Sequence, residues 1–241
     1  MRRVVVALSL AVALAAGLEV GSAGFAASVQ EGTPAAGAAA LTEAEVQAIL
    51  DAAVAAAEQT PSLVRVDAQG APRPARMHVA VVDRDGHLLG LRSMGDAWAV
   101  SVDIALAKAY TAAASSAENA FSSRSIGLLT QPGGPLWNVG HSNDPGTGDD
   151  SVEERGLIEF PGGLPLYKEG RHVGGIGVSG DGVEQDEAVA AAGAAGYEPA
   201  AAIRVDCVLG LEGAYAAGAG PCPDAEAGAT PDMGAAATPA S

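Results

Sequence analysis

Two strand–turn–strand signals constrain this chain more than anything else in it. Met77 to Val82 is rich in β-branched residues. Asp83-Arg84-Asp85-Gly86 then carries turn chemistry, with a glycine that tolerates positive φ, and His87 to Arg92 returns as a second strand. Leu164 to Tyr167, the turn Lys168-Glu169-Gly170 and Arg171 to Val178 repeat the arrangement later in the chain. A hairpin pairs its strands antiparallel, so the sheet is expected to be mainly antiparallel, with helices on its faces. The fold class is α+β rather than a doubly wound parallel sheet.

Helical patterns surround the hairpins. Thr42 with Glu45 makes a capping box, and Val46, Ile49, Leu50, Ala53, Val54 and Ala57 recur as one buried helix face until Pro61 forbids continuation. Arg73 to Arg76 reads as a loop. Ser101 is a good N-cap for a second helix reaching about Ser115, and a short helix fits Ser122 to Leu129. The rest of 116–160 reads as loop. Asp181 with Glu184 can cap a further helix over Val183 to Ala195, whose acidic first turn suits the helix dipole. Ala200 to Leu209 reads as a last strand.

The ends differ from the middle. Arg2 and Arg3 precede an apolar run from Val4 to Ala16, and small residues follow, with Gly24 and Ala26 in the −3 and −1 places of a cleavage site. A membrane span needs about 20 apolar residues, and this run is shorter and stopped by Glu19. Residues 1–26 are therefore expected to be a signal peptide and 27–40 a flexible leader. The domain is expected over 41–212, with an Ala/Gly/Pro-rich disordered tail over 213–241. Export to a periplasmic or extracellular site makes Cys207 and Cys222 candidates for one disulfide, although the sulfurs could stay free. A formal charge of −16 argues against nucleic acid and anionic membrane surfaces as partners.

Gly175-Ile176-Gly177-Val178-Ser179-Gly180 spells the dinucleotide fingerprint GxGxxG. In a dinucleotide fold the glycines open the turn after a strand, whereas here they fall inside the return arm of a hairpin. The alternative is a strand stripped of side chains so that another backbone can approach. His78, His87, His141 and His172 have no metal-binding spacing. His78 is expected to be packed or half-exposed, and His87 and His172 solvated. Asp149, Asp150, Glu153 and Glu154 could hold a hard cation or form a solvated acidic loop. Lys108, on an otherwise small and apolar helix face, could pair with a ligand carboxylate or snorkel. No nucleophile elbow occurs, and no catalytic constellation calls for an enzyme.

Six segments together resemble the GlcG/HbpS-type haem-binding family. They are His78 to Leu88, Ser101 to Ala112, Gln131-Pro132-Gly133-Gly134-Pro135-Leu136, Phe160-Pro161-Gly162-Gly163, Val173 to Gly180 and Glu184 to Glu187. The resemblance covers about residues 41 to 200. It implies a profilin-like fold, with a five-stranded antiparallel sheet flanked by helices and assembly into a homo-oligomer. It also implies that some members bind haem outside the cytoplasm, with a threonine on the helix after the first hairpin as a candidate iron contact. Thr111 is the matching position. Met94 and His141 are stronger iron donors by type, though the motifs do not carry them.

The reading that follows is an exported, non-catalytic haem or tetrapyrrole-binding homo-oligomer. Lys108 would face a propionate, Thr111 the iron, and the two PGG loops, including Gly133 and Gly134, would form close-approach walls. A haem-dependent peroxidase-like or haem-degrading enzyme is the alternative. A small-molecule sensory or structural module is the other.

Overall fold

Thr42 starts the first helix, α1 (Glu43–Gln59), as expected: Glu45 Oε2 accepts from Thr42 N at 2.8 Å, and Thr42 Oγ1 accepts from Glu45 N at 3.3 Å. The computed structural model describes residues 40–137, 157–211 and 213–223, all within the unit Ala39–Ser241. The expected signal peptide and nearly all of the leader lie outside the described residues. No described helix is long and apolar enough to cross a membrane.

After α1 come β1 (Pro61–Val66), β2 (Pro72–Pro74), β3 (His78–Asp83), β4 (Leu88–Ser93), α2 (Ser101–Ala114), α3 (Ser123–Leu129), β5 (Gly163–Lys168), β6 (Arg171–Ser179), α4 (Val183–Gly193) and α5 (Val205–Val208). Both hairpins form. They pair through β3 and β6 into an antiparallel sheet of order β4-β3-β6-β5. The α+β class and the antiparallel pairing hold. Among the described residues there are six strands in two sheets, four in the main sheet and two in β1-β2, where the resemblance implied one sheet of five. The segment at Arg73 read as loop because two prolines flank it. It pairs briefly with β1, at a sheet edge where proline is tolerated.

The two faces of β3 explain its continuous apolar run. Val79 and Val81 join Val46, Ile49, Leu50, Ile176 and Val178 on the α1 side, while Ala80 and Val82 meet Ala105, Ala109 and Ala113 of α2 on the other. The glycines of the GxGxxG string serve this second contact. A Cβ on Gly177 would lie 2.1 Å from the Ala105 carbonyl oxygen, and one on Gly175 would lie 2.5 Å from that of Ala109. The string lets a helix backbone rest directly on a strand, and it opens no pyrophosphate turn.

Three local expectations are corrected. Ser101 is not the cap of α2: Val100 occupies that position, and Ser101 is the first helical residue, its N–H donating to Trp98 O at 2.9 Å. Gly182, not Asp181, caps α4, because the Asp181 carboxylate is taken by Ser62 Oγ and Leu63 N of β1. Ala200 to Leu209 is not a strand but a 3₁₀ turn, Ala201–Ile203, followed by α5. Cys207 N and Val208 N both donate to Arg204 O, so local bonds replace a ladder.

The chain beyond 212 does not simply leave the domain. Residues 213–223 fold back, and Tyr215 and Ala216 are buried in the main core. Ser122 Oγ donates to Tyr215 O, and the Cys207–Cys222 disulfide is formed with a Cα–Cα distance of 5.2 Å. Residues 224–241 lie outside the described residues.

Candidate functional site

Helix α2 carries both Lys108 and Thr111, three residues apart and therefore on neighbouring positions of one helical face. Lys108 is fully buried. Its Nζ donates to Asp186 Oδ2 at 2.7 Å and to Val178 O at 3.0 Å, and it lies 5.3 Å from the centre of the Phe160 ring. Gly162, with φ +116, wraps this ammonium, and a Cβ there would meet Nζ at 2.8 Å. Burial pulls the Lys108 pKa down, opposed by the Asp186 charge. Burial likewise pushes Asp186 up, opposed by Lys108. Lys108 was expected to face a ligand propionate. Its ammonium is instead enclosed by its own chain, tying α2 to β6 and α4.

The Thr111 hydroxyl is also enclosed. It donates to Ala107 O at 2.8 Å and accepts from Ile158 N at 2.8 Å. It thereby pins the segment 157–160 against α2, and Gly127 of α3 meets the same segment so closely that a Cβ would overlap the Glu159 carbonyl. One helical turn beyond Thr111, Ser115 opens onto a groove of about 430 Å³. Ile126 and Leu129 of α3, Phe121, Leu157 and Leu209 give it apolar walls. Pro135 and Leu136 of the first PGG loop form its rim. Leu209 is 44% exposed there.

Gly133 and Gly134 shape that rim and do not line it. Gly133 has φ +85, a value glycine adopts without cost, and a Cβ on Gly134 would lie 2.2 Å from Leu129 O. The loop can therefore fold back onto the end of α3, where Leu136 N donates to Leu129 O at 3.0 Å. Met94 is elsewhere. It packs on the α1-side core, and its sulfur accepts from Met77 N at 3.4 Å. His141 and the acidic residues Asp149, Asp150, Glu153 and Glu154 lie outside the described residues. His78 is packed, its Nδ1 at 2.8 Å from Ser93 Oγ and its Nε2 at 2.9 Å from Trp98 O.

Sequence reasoning missed two partners. Asp186 was readable in principle, because a lysine on an apolar face calls for a buried countercharge. Arg124 gave no sequence signal. Its Nε and Nη2 grip the fully buried Glu187 carboxylate, with Nη2 at 2.7 Å from Glu187 Oε2 and also 2.7 Å from Glu184 Oε2. Glu187 holds the Arg124 pKa above its ordinary value. This pair fixes α3, one wall of the groove, to α4.

A family model described as haem degrading protein HbpS-like matches residues 41–195. An uncharacterized 15.0 kDa protein in the dhaT-dhaS intergenic region of Citrobacter freundii is 35% identical over 111 residues, which is 46% of this chain and 68% of that relative. The corrinoid adenosyltransferase PduO of the same organism is 31% identical over 112 residues, and the chain spans only 29% of its length. Among solved structures, Klebsiella pneumoniae protein ORFY gives a TM-score of 0.52 at 26% identity, over 67% of this chain and 93% of that one. A PduOC:heme complex gives 0.51 at 28% identity, over 65% and 94%.

Proposed function

We propose that this chain, which belongs to the HbpS-like family of haem degrading proteins, binds haem in the groove between α2, α3 and the first PGG loop. The observation that carries the reading is the groove itself. It is an apolar slot of about 430 Å³, beside the helix on which the resemblance places the ligand. The likeness to a PduOC:heme complex supports the same ligand. Bound haem would supply a flat apolar ring and an iron centre.

The walls suit the ring. Phe121, Ile126, Leu129 and Leu209 would exclude water from it, and Pro135 and Leu136 would border one edge. Lys108 and Asp186 hold the frame. Thr111, whose hydroxyl is held by Ala107 O and Ile158 N, would offer an oxygen donor to iron only with the 157–160 segment moved away from α2. Export, a periplasmic or extracellular location and assembly into a homo-oligomer belong to this reading. The basic n-region before Val4 to Ala16 supports export, and the family resemblance supports assembly. Adenosyltransferase activity is not part of it, because the chain spans only 29% of those enzymes.

Titration of haemin into the protein tests the proposal. A saturable Soret shift that weakens in Leu136→Glu is expected, and an unshifted Soret band at micromolar haemin would refute it. The family description names degradation, which favours a second reading in which bound haem is consumed. Loss of the Soret band over time under a reductant or peroxide, absent from haemin alone, separates consumption from storage.

A further inference from the structure

The Cys207–Cys222 disulfide stands apart from the groove just described in its electrostatics. Arg204, only 7% exposed, aims its guanidinium at both sulfurs, with Nη2 at 3.4 Å from Cys207 Sγ and 3.9 Å from Cys222 Sγ. Asp206 fixes that guanidinium through two bonds, Nε to Oδ1 at 3.1 Å and Nη2 to Oδ2 at 2.9 Å. Its ring neighbour is Tyr215, with the guanidinium carbon 5.4 Å from the ring centre. A second cavity, of about 210 Å³, reaches this cluster from outside, and Cys222, Arg204 and Asp206 line it. Both sulfurs belong to half-buried residues, so they are neither sealed nor freely solvated.

We infer that this disulfide is a thiol-exchange site, with a low-molecular-weight thiol as its co-reactant. The thiolate enters through the cavity and attacks Cys222 Sγ. A bond forms between the incoming sulfur and Cys222, the Cys207–Cys222 bond breaks, and its electron pair leaves on Cys207 as thiolate. The incoming sulfur is oxidised to the disulfide level and Cys207 is reduced. Arg204 sets the direction, because it lies nearer Cys207 and a cation beside the leaving sulfur lowers its pKa and speeds departure. Asp206 opposes thiolate formation by its own charge, and its two bonds to Arg204 confine that effect while holding the guanidinium in place.

The consequence reaches beyond the cysteines. The disulfide is the covalent tie on the segment 213–223, whose residues 216–220 roof a third cavity of about 280 Å³ between β5 and α4. Exchange removes that tie, leaving the buried Tyr215 and Ala216, the bond from Ala217 N to Glu187 Oε2 at 2.7 Å and the Ser122–Tyr215 bond as noncovalent anchors.

Glutathione is the probe. The folded full chain is incubated with it, quenched by alkylation with iodoacetamide and mapped by peptide mass. The expected product carries glutathione on Cys222 and carbamidomethyl on Cys207. Arg204→Gln is expected to slow exchange about tenfold and to erase the site preference, and Arg204→Lys to restore much of both. Hydrogen exchange is expected to rise over 213–223 after reaction. Glutathione on Cys207, or reaction only in denaturant, would overturn the inference. Should Arg204→Gln fail to fold, the position of the adduct in the wild-type chain still decides it.

Discussion

The seam between α2 and β6 and the groove between α2 and α3 use one helix in opposite ways. At the seam, side chains have been removed until backbones touch: Gly175 and Gly177 lie under Ala105, Ala109 and Ala113, and Lys108 is sealed by Asp186 and Gly162. At the groove, large apolar side chains are kept: Ile126 and Leu129 are buried in its wall, and Leu209 is 44% exposed among the described residues. Rigidity in this fold comes from small residues and one buried ion pair, and capacity for a ligand comes from large residues that the core does not claim. The same helix thus serves as frame along its length, and its C-cap, Ser115, reaches the groove.

Removing the charge that seals Lys108 is the hardest test of the seam. Asp186→Ala leaves a buried ammonium unpaired and is expected to cost about 3–5 kcal/mol in urea unfolding. The double change Lys108→Met, Asp186→Leu removes both charges and is expected to regain most of that stability. An Asp186→Ala variant as stable as wild type would remove the ion pair from the frame.

Crowding the seam comes next. Gly177→Ala puts a methyl 2.1 Å from a carbonyl oxygen, and overpacking of this kind costs about 1–3 kcal/mol. Gly133→Ala, at φ +85 but with nothing within 4 Å of the new Cβ, is expected to cost less. Reversed order in chemical denaturation would mean that the seam tolerates side chains after all. At the groove the pattern should invert. Leu209→Glu is expected to weaken haemin binding about tenfold by setting a charge against the ring, while stability moves by less than about 0.5 kcal/mol. A large loss of stability there would make Leu209 part of the core.

The smallest effect lies far from both regions. Lys168 beside Glu45, helped by Thr42, holds the Glu45 carboxyl at a pKa of about 2, below its ordinary 4.5. A depressed carboxylate stabilises the folded state fully above its unfolded pKa and loses that contribution as pH falls through the folded value. The difference in melting temperature between wild type and Glu45→Gln is therefore expected above pH 4.5 and should vanish toward pH 2. Because the pair is at the surface, the difference is expected to be small. A difference that persists at pH 2 would assign it to something other than this charge.

Both hairpins, the α1 capping box and the buried face of α1 were legible because each depends on neighbours within a few residues. Turn chemistry at Gly86 and Gly170, and the i, i+3, i+4 recurrence from Val46 to Ala57, need no knowledge of the rest of the chain. The reading of Gly175-Ile176-Gly177 as a close-approach strand succeeded for the same reason, since its place inside a hairpin arm is local information. The Cys207–Cys222 pairing was a candidate because the chain has an even pair of cysteines and was expected to be exported. The segment from Ala200 was misread because local bonds to Arg204 O and a single bridge to Ala120, far away in sequence, take the place of a strand ladder. Asp181 was assigned to a helix cap because nothing nearby reveals that Ser62 would claim it.

The sequence by itself determined the antiparallel α+β class, the positions of the main helices and the family. These follow from periodicity, turn residues and motif order, which are written along the chain. Tertiary structure alone decided that Lys108 would be consumed by Asp186, that Thr111 would pin Ile158, and that a groove would open at Leu209. Those outcomes depend on which distant side chain reaches a given space first, and burial makes that competition decisive: a charged or polar group taken from water must be matched by whatever partner the fold brings within bonding distance.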